Sequence, residues 1–217
     1  MSVHLQHEIA DLKKQILALG ALVEDDVSQA VRAVAQRDIR LAQSVIDRDS
    51  VVDQNEVGIE EECLKILALH QPVANDLRFI IAVLKLNNDL ERIGDLAVNI
   101  AQRAVFLCGQ LPCDIPFNLA EIAEQTQSML RQSLDALINL DLKLARQVGA
   151  NDDVVDNLNR QSFERIKGVI RQSTEHLDSL IALLSVSRYL ERIADHATNI
   201  AEDVIYLVEG RIIRHQH

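Results

Sequence analysis

Two segments of this chain, 100 residues apart, carry the same polar residue types at four-residue spacing. The first is 90-LERIGDLAVNIA-101, with Glu91, Asp95 and Asn99, and the second is 190-LERIADHATNIA-201, with Glu191, Asp195 and Asn199. Residues four apart on an α-helix share one face and lie about 6 Å apart along the axis. Each segment therefore predicts a file of oxygen donors, the ligand type that hard divalent cations prefer.

The helix that carries the first file also has an apolar seam at successive a and d positions. The seam consists of Phe79, Val83, Leu86, Leu90, Ile93, Ala97, Ile100, Ala104 and Leu107. At about 100° per residue, Glu91, Asp95 and Asn99 centre roughly opposite this seam. Apolar residues bracket the file before and after it: Ile81, Leu84 and Phe106. We therefore expect a localised acidic patch on the outer face of the bundle.

The alternative to a metal site is a solvated polar face on which the carboxylates pair with arginines. Carboxylates at i and i+4 are common on helices, and such a pair repels by roughly 0.2–0.5 kcal/mol unless a cation neutralises it. The arrangement occurs in both segments of the same chain. This duplication favours metal binding over the solvated face.

The composition predicts an all-α protein that does not bind nucleic acid. Only 7 Gly and 3 Pro occur in 217 residues, and Trp is absent. A formal charge of −11 repels nucleic acid and anionic membranes, and it suits cations or a basic protein surface. The first residues show no signal peptide, and we expect no membrane insertion because no apolar run is long enough to span a bilayer.

The apolar periodicity predicts long amphipathic helices separated by a few capping residues. The predicted helical segments are 3–37, 38–46, 51–70, 75–107, 117–140, 141–148, 152–176 and 178–208. Asp38 is a predicted N-cap, as are Asp49 or Ser50 and, in the second half, Asp152 or Asp153. Segment 109–116 contains Pro112 and Pro116 and is the clearest linker.

A longer internal repeat surrounds the two segments. Asp38-x-x-Leu41-Ala42 matches Asp141-x-x-Leu144-Ala145, Val51-Val52-Asp53 matches Val154-Val155-Asp156, and Glu61 matches Glu164, all at an offset of 103. Tandem copies of one helical unit explain these matches. We expect two antiparallel three-helix bundles with a pseudo-two-fold repeat, residues 1–108 and 117–217, joined by the linker 109–116.

The duplicated units, each with Glu-x-x-x-Asp-x-x-x-Asn inside LERI(G/A)D, together with 71-QPVANDLR-78, resemble the PhoU family over essentially the whole chain. The resemblance implies a cytoplasmic accessory protein of high-affinity phosphate uptake. It would act with the ATPase subunit of a phosphate ABC transporter and a phosphate-sensing histidine kinase, and it would damp phosphate-starvation signalling. The resemblance also implies a homodimer and multinuclear iron or zinc clusters.

Carried over onto this chain, the family's metal motifs fall on Glu91 and Asp95 and on Glu191 and Asp195, while the asparagines extend each file and the preceding helices carry supporting carboxylates. The expected ligands are Glu91, Asp95, Asn99, Glu191, Asp195 and Asn199, supported by Asp53, Glu61, Asp156 and Glu164. The copies differ: Gly94 and Leu96 become Ala194 and His196, and Glu56 and Glu60 become Asn159 and Phe163. If the preceding helices supply ligands, the second site is less acidic, and we expect it to bind metal more weakly.

Two other functions compete with this interpretation. A helical adaptor would dock a partner through the outer apolar residues without binding metal. A di-iron carboxylate protein would need Glu-x-x-His on two helices, and no such motif occurs in the sequence. There is also no glycine-rich phosphate loop and no recognisable Ser/His/Asp constellation, so we do not expect an enzyme. The arginines beside the motifs have the chemistry to bind phosphate, but ion pairing is their commoner role in an acidic protein.

Overall fold

The computed structural model describes residues 3–210, with side chains from residue 4, and this part of the chain is entirely helical apart from its connections. Its helices are α1 (Val3–Gln36), α2 (Ile39–His70), α3 (Ala74–Cys108), α4 (Leu119–Asn139), α5 (Leu142–Gln172) and α6 (Leu177–Glu209). The predicted all-α fold with two three-helix repeats is thereby confirmed for the described residues. No helix within residues 3–210 is both long enough and apolar enough to cross a bilayer.

The helices of each repeat are connected by short turns and pack against one another. The repeats meet where α3 packs against α6, along the centre of the molecule. In the described chain α3 contacts α1, α2 and α6, and α6 contacts α4, α5 and α3. The outer helices α2 and α5 contact only helices of their own repeat. Each outer helix therefore has one flank against the central helix and another open to solvent.

The turn from α1 to α2 is repeated between α4 and α5. Asp38 caps α2 because its side chain accepts hydrogen bonds from the backbone N–H groups of Arg40 and Leu41. Asp141 caps α5 in the same way, because its side chain accepts hydrogen bonds from the backbone N–H groups of Lys143 and Leu144. The residue before each cap is left-handed, Arg37 at φ 53° and Leu140 at φ 52°. The prediction of an N-cap at Asp38 is confirmed.

The predicted breaks within α2 and α5 are wrong. Both helices run without interruption, so Asp49, Ser50, Asp152 and Asp153 lie inside them rather than at caps. Aspartate and serine are only weakly unfavourable in a helix interior, and no proline interrupts either helix. Tertiary packing of Val52 and Val155, which are buried in the core, favours continuation over a new start.

The predicted seam of α3 lies in the core, where all its members but the half-buried Phe79 are buried. However, α3 also buries Asn87, Asp89 and Leu96, because it is surrounded by α1, α2 and α6. A helix packed on three sides has no wholly outward face. The prediction that the acidic file lies on an outer face is corrected below.

Segment 109–118 connects α3 to α4 without forming a helix. It lies where the linker 109–116 is predicted. However, α3 of the first repeat packs against α6 of the second, so the two repeats are in direct contact. The division into domains 1–108 and 117–217 therefore stays a prediction. Residues 1, 2 and 211–217 of those ranges lie outside the described part of the chain.

Candidate metal centre

Each repeat brings two pairs of carboxylates together across the groove between its outer and its central helix. In the first repeat α2 contributes Asp49 and Asp53, and α3 contributes Glu91 and Asp95. In the second repeat α5 contributes Asp152 and Asp156, and α6 contributes Glu191 and Asp195. Every pair has the i, i+4 spacing, so the acidic residues of both helices in a repeat face the same groove.

The second cluster is the more compact of the two. Asp156, Glu191 and Asp195 each offer one carboxylate oxygen, and these oxygens lie within 4.8 Å of one another. Among residues 3–210, these three form the group of His, Cys, Asp and Glu side chains close enough to share one cation. Carboxylate oxygens at such separations repel each other strongly unless a cation or protons neutralise them.

Glu191 is the buried member of this group, with 7% of its surface exposed. Its Oε1 atom pairs with Arg188, but its buried Oε2 atom has no hydrogen-bond partner among the described residues. An unsatisfied buried carboxylate oxygen is costly, and a coordinated cation would satisfy it. This orphaned atom is independent evidence that the cluster is built for a ligand.

The charges of the second cluster destabilise one another. Burial raises the pKa of Glu191, and Asp195 raises it further, although Arg188 acts in the opposite direction. Burial also raises the pKa of Asp195, with a further contribution from Asp156. The pKa of Asp152 is raised by burial and by Asp195. All three carboxyls therefore hold their negative charge at a cost, which a bound cation would remove.

The first cluster shows the same electrostatics with more acidic residues. Burial raises the pKa of Glu91, and Asp95 raises it further, against the opposing charge of Arg92. Burial likewise raises the pKa of Asp49, to which Asp53 adds. The pKa of Glu56, also on α2, is raised by burial and then by the charges of Glu60 and Asp53. The first groove is thus the more acidic one, whereas the second is the more compact.

Arginines compete for these carboxylates, as the solvated-face alternative anticipates. Arg92 lies 3.4 Å from Glu91 and 3.3 Å from Asp95, and Arg188 pairs with Glu191. The Arg92 and Arg188 side chains are 54% and 59% exposed. Ion pairs of such exposed arginines contribute little. They do not offset the burial and mutual repulsion that raise the pKa of Glu91 and Glu191.

The remaining predicted ligands lie at the edges of the clusters. Asn99 is half-buried, and the Asn199 side-chain nitrogen lies 3.4 Å from Asp89 Oδ1 of α3. Glu61 and Glu164 are exposed and lie eight residues beyond Asp53 and Asp156, about 12 Å along the helix axis. Glu164 pairs instead with Lys167. Metal ligation by these four residues stays a prediction.

The predicted placement of the acidic file on the bundle surface is wrong for Glu191. Glu191 is buried, Glu91 and Asp95 are half-buried, and of the two motifs only Asp195 is an exposed acid. The reason is that α2 and α5 lie against this side of α3 and α6. The bracketing residues follow the same pattern: Leu84 packs against the core, whereas Phe106 is 39% exposed.

Asp49 and Asp152 belong to the clusters although they are not among the predicted ligands, because their positions in the sequence predict helix caps. A signal for them is present: Asp49-x-x-x-Asp53 matches Asp152-x-x-x-Asp156 at the same offset of 103 that relates α2 to α5. Duplicated i, i+4 carboxylates on the outer helices mirror those on the central helices. The repeat itself could therefore have identified them.

The donor set fits a hard or borderline divalent cation. Each groove offers carboxylate oxygens from two helices, a set suited to manganese, iron(II) or magnesium, and zinc also accepts carboxylate. In the second repeat Asp156, Glu191 and Asp195 would hold the ion, and Asp152 lies close enough to add its negative charge to the site. In the first, Asp49, Asp53, Glu91 and Asp95 would do so. His196 faces away, with its Nδ1 atom 2.8 Å from Asp89 Oδ1.

Comparisons with known proteins agree with the fold. A family model described as the PhoU domain matches the chain twice, over residues 16–104 and 119–204. A protein of Pseudomonas aeruginosa, named phosphate-specific transport system accessory protein PhoU homolog, is 40% identical over 217 residues. The match covers 99% of this chain and 89% of that protein.

Two solved structures superpose closely on this chain. The crystal structure of PhoU from Pseudomonas aeruginosa has a TM-score of 0.90 at 40% identity, covering 95% of this chain and 99% of that one. The phosphate transport system regulatory protein PhoU from Streptococcus pneumoniae has a TM-score of 0.89 at 29% identity, covering 96% and 99%. The similarity therefore extends over nearly all of each chain.

Proposed function

The chain belongs to the PhoU family, and from this membership we propose that it is an accessory protein of a phosphate-specific transport system. Its relatives carry that name, and the likeness covers both repeats rather than one. The whole-chain match is the observation that carries the proposal. The protein is proposed to act by binding other proteins rather than by catalysis.

The finer proposal is that it negatively regulates phosphate-starvation signalling. It would couple the ATPase subunit of the transporter to a phosphate-sensing histidine kinase in the cytoplasm, as a homodimer. The support is its acidic surface, with a formal charge of −11 that suits docking onto basic partner surfaces. A metal ion in each groove would neutralise part of this charge and stiffen the contact between the outer and central helices.

The proposed metal sites are the two carboxylate clusters. The sets are Asp49, Asp53, Glu91 and Asp95 in the first repeat, and Asp152, Asp156, Glu191 and Asp195 in the second. The orphaned Oε2 atom of Glu191 and the raised pKa values of Glu91 and Glu191 favour a metal site over an adaptor that binds no metal. A bound cation supplies charge neutralisation and cross-linking of two helices.

Elemental analysis of protein purified without chelator tests the metal sites. We expect at least one iron, zinc or manganese ion per chain, and less metal in a Glu91→Ala/Asp95→Ala variant with unchanged helical circular dichroism. Metal-free protein whose melting is unaffected by EDTA would favour the simple adaptor. A variant that unfolds would show that the file is structural.

Gene deletion tests the regulatory role. In phosphate-rich medium, we expect the deletion to raise transcription of phosphate-scavenging genes, and a plasmid copy should restore repression. Unchanged expression in the deletion strain would contradict the role. Pull-down from phosphate-replete cells should then recover the transporter ATPase or the kinase.

A further inference from the structure

An open cleft of about 530 Å³ lies beside the second carboxylate cluster, between α5 and α6. Two of the candidate metal ligands, Asp156 and Glu191, form part of its wall. Two arginines, Arg160 and Arg188, line the same cleft. Positively charged arginine side chains and candidate metal ligands therefore line the same solvent-accessible cleft.

The corresponding positions of the first repeat have a different chemistry. Arg160 and Arg188 correspond to Val57 and Asn88, and Asn159 and Phe163 correspond to Glu56 and Glu60. With the shared aspartate and glutamate, the first set holds four carboxylates and no cation. The second set holds two carboxylates and two arginines, so its formal charges cancel.

This difference changes what a bound metal does to each groove. In the first repeat, a divalent cation is offset by surplus carboxylates. In the second repeat, Asp152 and Asp195 complete a cluster of four carboxylates, and the same cation together with the two arginines balances their charge. A cleft with balanced charge does not repel an anion, whereas the first groove keeps a surplus of carboxylates that does.

The arginines are available to hold such an anion. Arg160 is exposed and forms no ion pair or hydrogen bond with any residue of the described chain. Arg188 pairs with Glu191 Oε1, but its exposed guanidinium has further N–H donors. Two guanidinium groups present several donors in fixed planes, a geometry that matches tetrahedral oxyanions.

The cleft has an apolar side as well. Phe163 is 47% exposed, and Leu184 lines the same space. Lys167 lies 5.6 Å from the centre of the Phe163 ring and pairs with Glu164, so it adds no net charge close to the cleft. The volume exceeds what a single small ion needs, so water or an organic group attached to the anion fits beside it.

We propose that this cleft binds a phosphate group, held by Arg160 and Arg188 next to a metal ion on Asp156, Glu191 and Asp195. The proposal rests on the metal site of the proposed function, and on the orphaned Glu191 Oε2 atom that makes the cluster more than a set of surface acids. The first groove, which lacks both arginines, binds metal without phosphate. The first repeat would therefore bind a metal ion alone, and the second would bind a metal ion together with a phosphate group.

Phosphorus-31 NMR with Mn²⁺-loaded protein tests the proposal. The protein is loaded with Mn²⁺, freed from excess metal and mixed with inorganic phosphate. A phosphate group next to the paramagnetic ion gives a broadened resonance, and we expect saturable broadening that metal-free protein does not produce. Phenyl phosphate is titrated in parallel, and whichever compound binds more tightly identifies the free ion or a phosphomonoester as the preferred source.

Variants assign the effect to the cleft. Arg160→Ala should weaken phosphate binding by about tenfold, the loss expected for a charged hydrogen-bond donor, and Arg160→Ala/Arg188→Ala should abolish it. The matched control is Val57→Ala/Asn88→Ala at the corresponding positions of the first repeat, which should bind phosphate normally. Elemental analysis of all proteins shows whether Mn²⁺ content is retained.

The outcomes separate this inference from the metal proposal. Mn²⁺ bound without phosphate broadening, or broadening that persists in the double arginine variant, overturns the phosphate site alone. Failure of the unmodified protein to bind Mn²⁺, iron(II) or zinc overturns both. Retained Mn²⁺ with loss of broadening only in the arginine variants supports the site.

Discussion

Asp26 is a buried carboxylate that belongs to neither file but lies close to the first. It is 3% exposed on α1, pairs with Arg48 of α2, and its pKa is raised to about 6, mainly by burial against the opposing charge of Arg48. The neighbouring Asp25 and Asp49 add to the rise. The position corresponding to Asp26 in the second repeat is Met129, so this acid is peculiar to the first repeat.

The raised pKa predicts the sign of a pH effect on stability. Because the native state holds the Asp26 proton more tightly than the unfolded chain, its stabilising contribution is present below pH 3.8 and is lost as the pH rises through about 6. We therefore expect Asp26→Asn to match the parent near pH 4 and to gain about 3 kcal/mol on it by pH 7. Urea unfolding of both metal-free proteins at each pH measures the difference.

A control separates Asp26 from general acid effects. Asp25→Asn changes an exposed neighbour that pairs with the same arginine and adds only a minor part of the rise in the Asp26 pKa, so its difference from the parent should vary with pH much less than that of Asp26→Asn. If the Asp26→Asn difference is equally constant between pH 4 and 7, burial does not raise the pKa of Asp26.

At the residue scale, the sequence identified Glu91, Asp95, Glu191 and Asp195 because spacing and duplication are visible in one dimension. It did not identify Asp26, because a single acidic residue in an amphipathic helix carries no periodic signal. Its burial follows from how α1 meets α2, and its partner Arg48 is 22 residues away. Pairing between helices depends on register, which the sequence alone does not specify.

At the element scale, Gly94 sets how closely α2 approaches α3 beside the first cluster. A Cβ atom at Gly94 would lie 3.1 Å from Val52 Cγ1, tighter than ordinary van der Waals contact. Val52 is buried and β-branched, so its side chain has little freedom to move away. The corresponding pair in the second repeat is Ala194 and Val155, so the groove of that repeat carries a methyl group that the first one lacks.

We expect the sign of Gly94→Ala to depend on Val52. In the parent, overpacking against Val52 outweighs the helix-propensity gain of alanine, for a net loss of about 1 kcal/mol. In a Val52→Ala background the added methyl fills space instead, and Gly94→Ala should stabilise by about 1 kcal/mol. Urea unfolding of the four proteins in this double-mutant cycle gives the coupling, and additive effects would contradict a direct contact.

Helix type and seam were predictable because apolar periodicity is strong in long helices, and Asp38 was predictable because its cap precedes a periodic segment. The breaks at Asp49 and Asp152 were predicted wrongly for an instructive reason. Aspartate is common both at helix N-caps and among metal ligands, and a local sequence pattern does not distinguish these two roles. The flanking valines Val52 and Val155, buried in the core, decide the question through tertiary packing.

At the scale of the whole molecule, the interface between α3 and α6 is the feature least visible in the sequence. It contains polar contacts between the repeats: His196 with Asp89 at 2.8 Å, and Lys85 with the buried Asp203 at 3.2 Å. Lys85 also lies 4.8 Å from the centre of the Tyr206 ring. The two repeats have the same helical arrangement but different residue types at these positions. The internal sequence repeat therefore does not predict these contacts. These contacts hold α3 and α6 together, and these two helices carry half of the carboxylates of each cluster.

Metal binding should therefore stabilise the molecule as a whole. A ligand that binds only the native state adds about 2.7 kcal/mol at one hundred times its dissociation constant. For a chain of this size we expect Mn²⁺ at that level to raise the melting temperature by about 5–10 °C, with EDTA reversing the shift. Differential scanning calorimetry measures it, and NaCl at matched ionic strength controls for general screening of the acidic surface.

The pH dependence of this shift distinguishes coordination from screening. Protons compete with metal for carboxylates, and the raised pKa values of Glu91, Glu191 and Asp195 move that competition to higher pH than for ordinary acids. The Mn²⁺-induced shift should accordingly shrink as the pH falls from 7 to 5, and Glu191→Gln/Asp195→Asn should remove the part due to the second cluster. A shift that NaCl reproduces, or that survives in a variant neutralised at both clusters, would mean that the carboxylates are not the ligands. Because α3 and α6 carry the two clusters and also pack against each other, loss of either site should lower a single cooperative transition rather than split it into two.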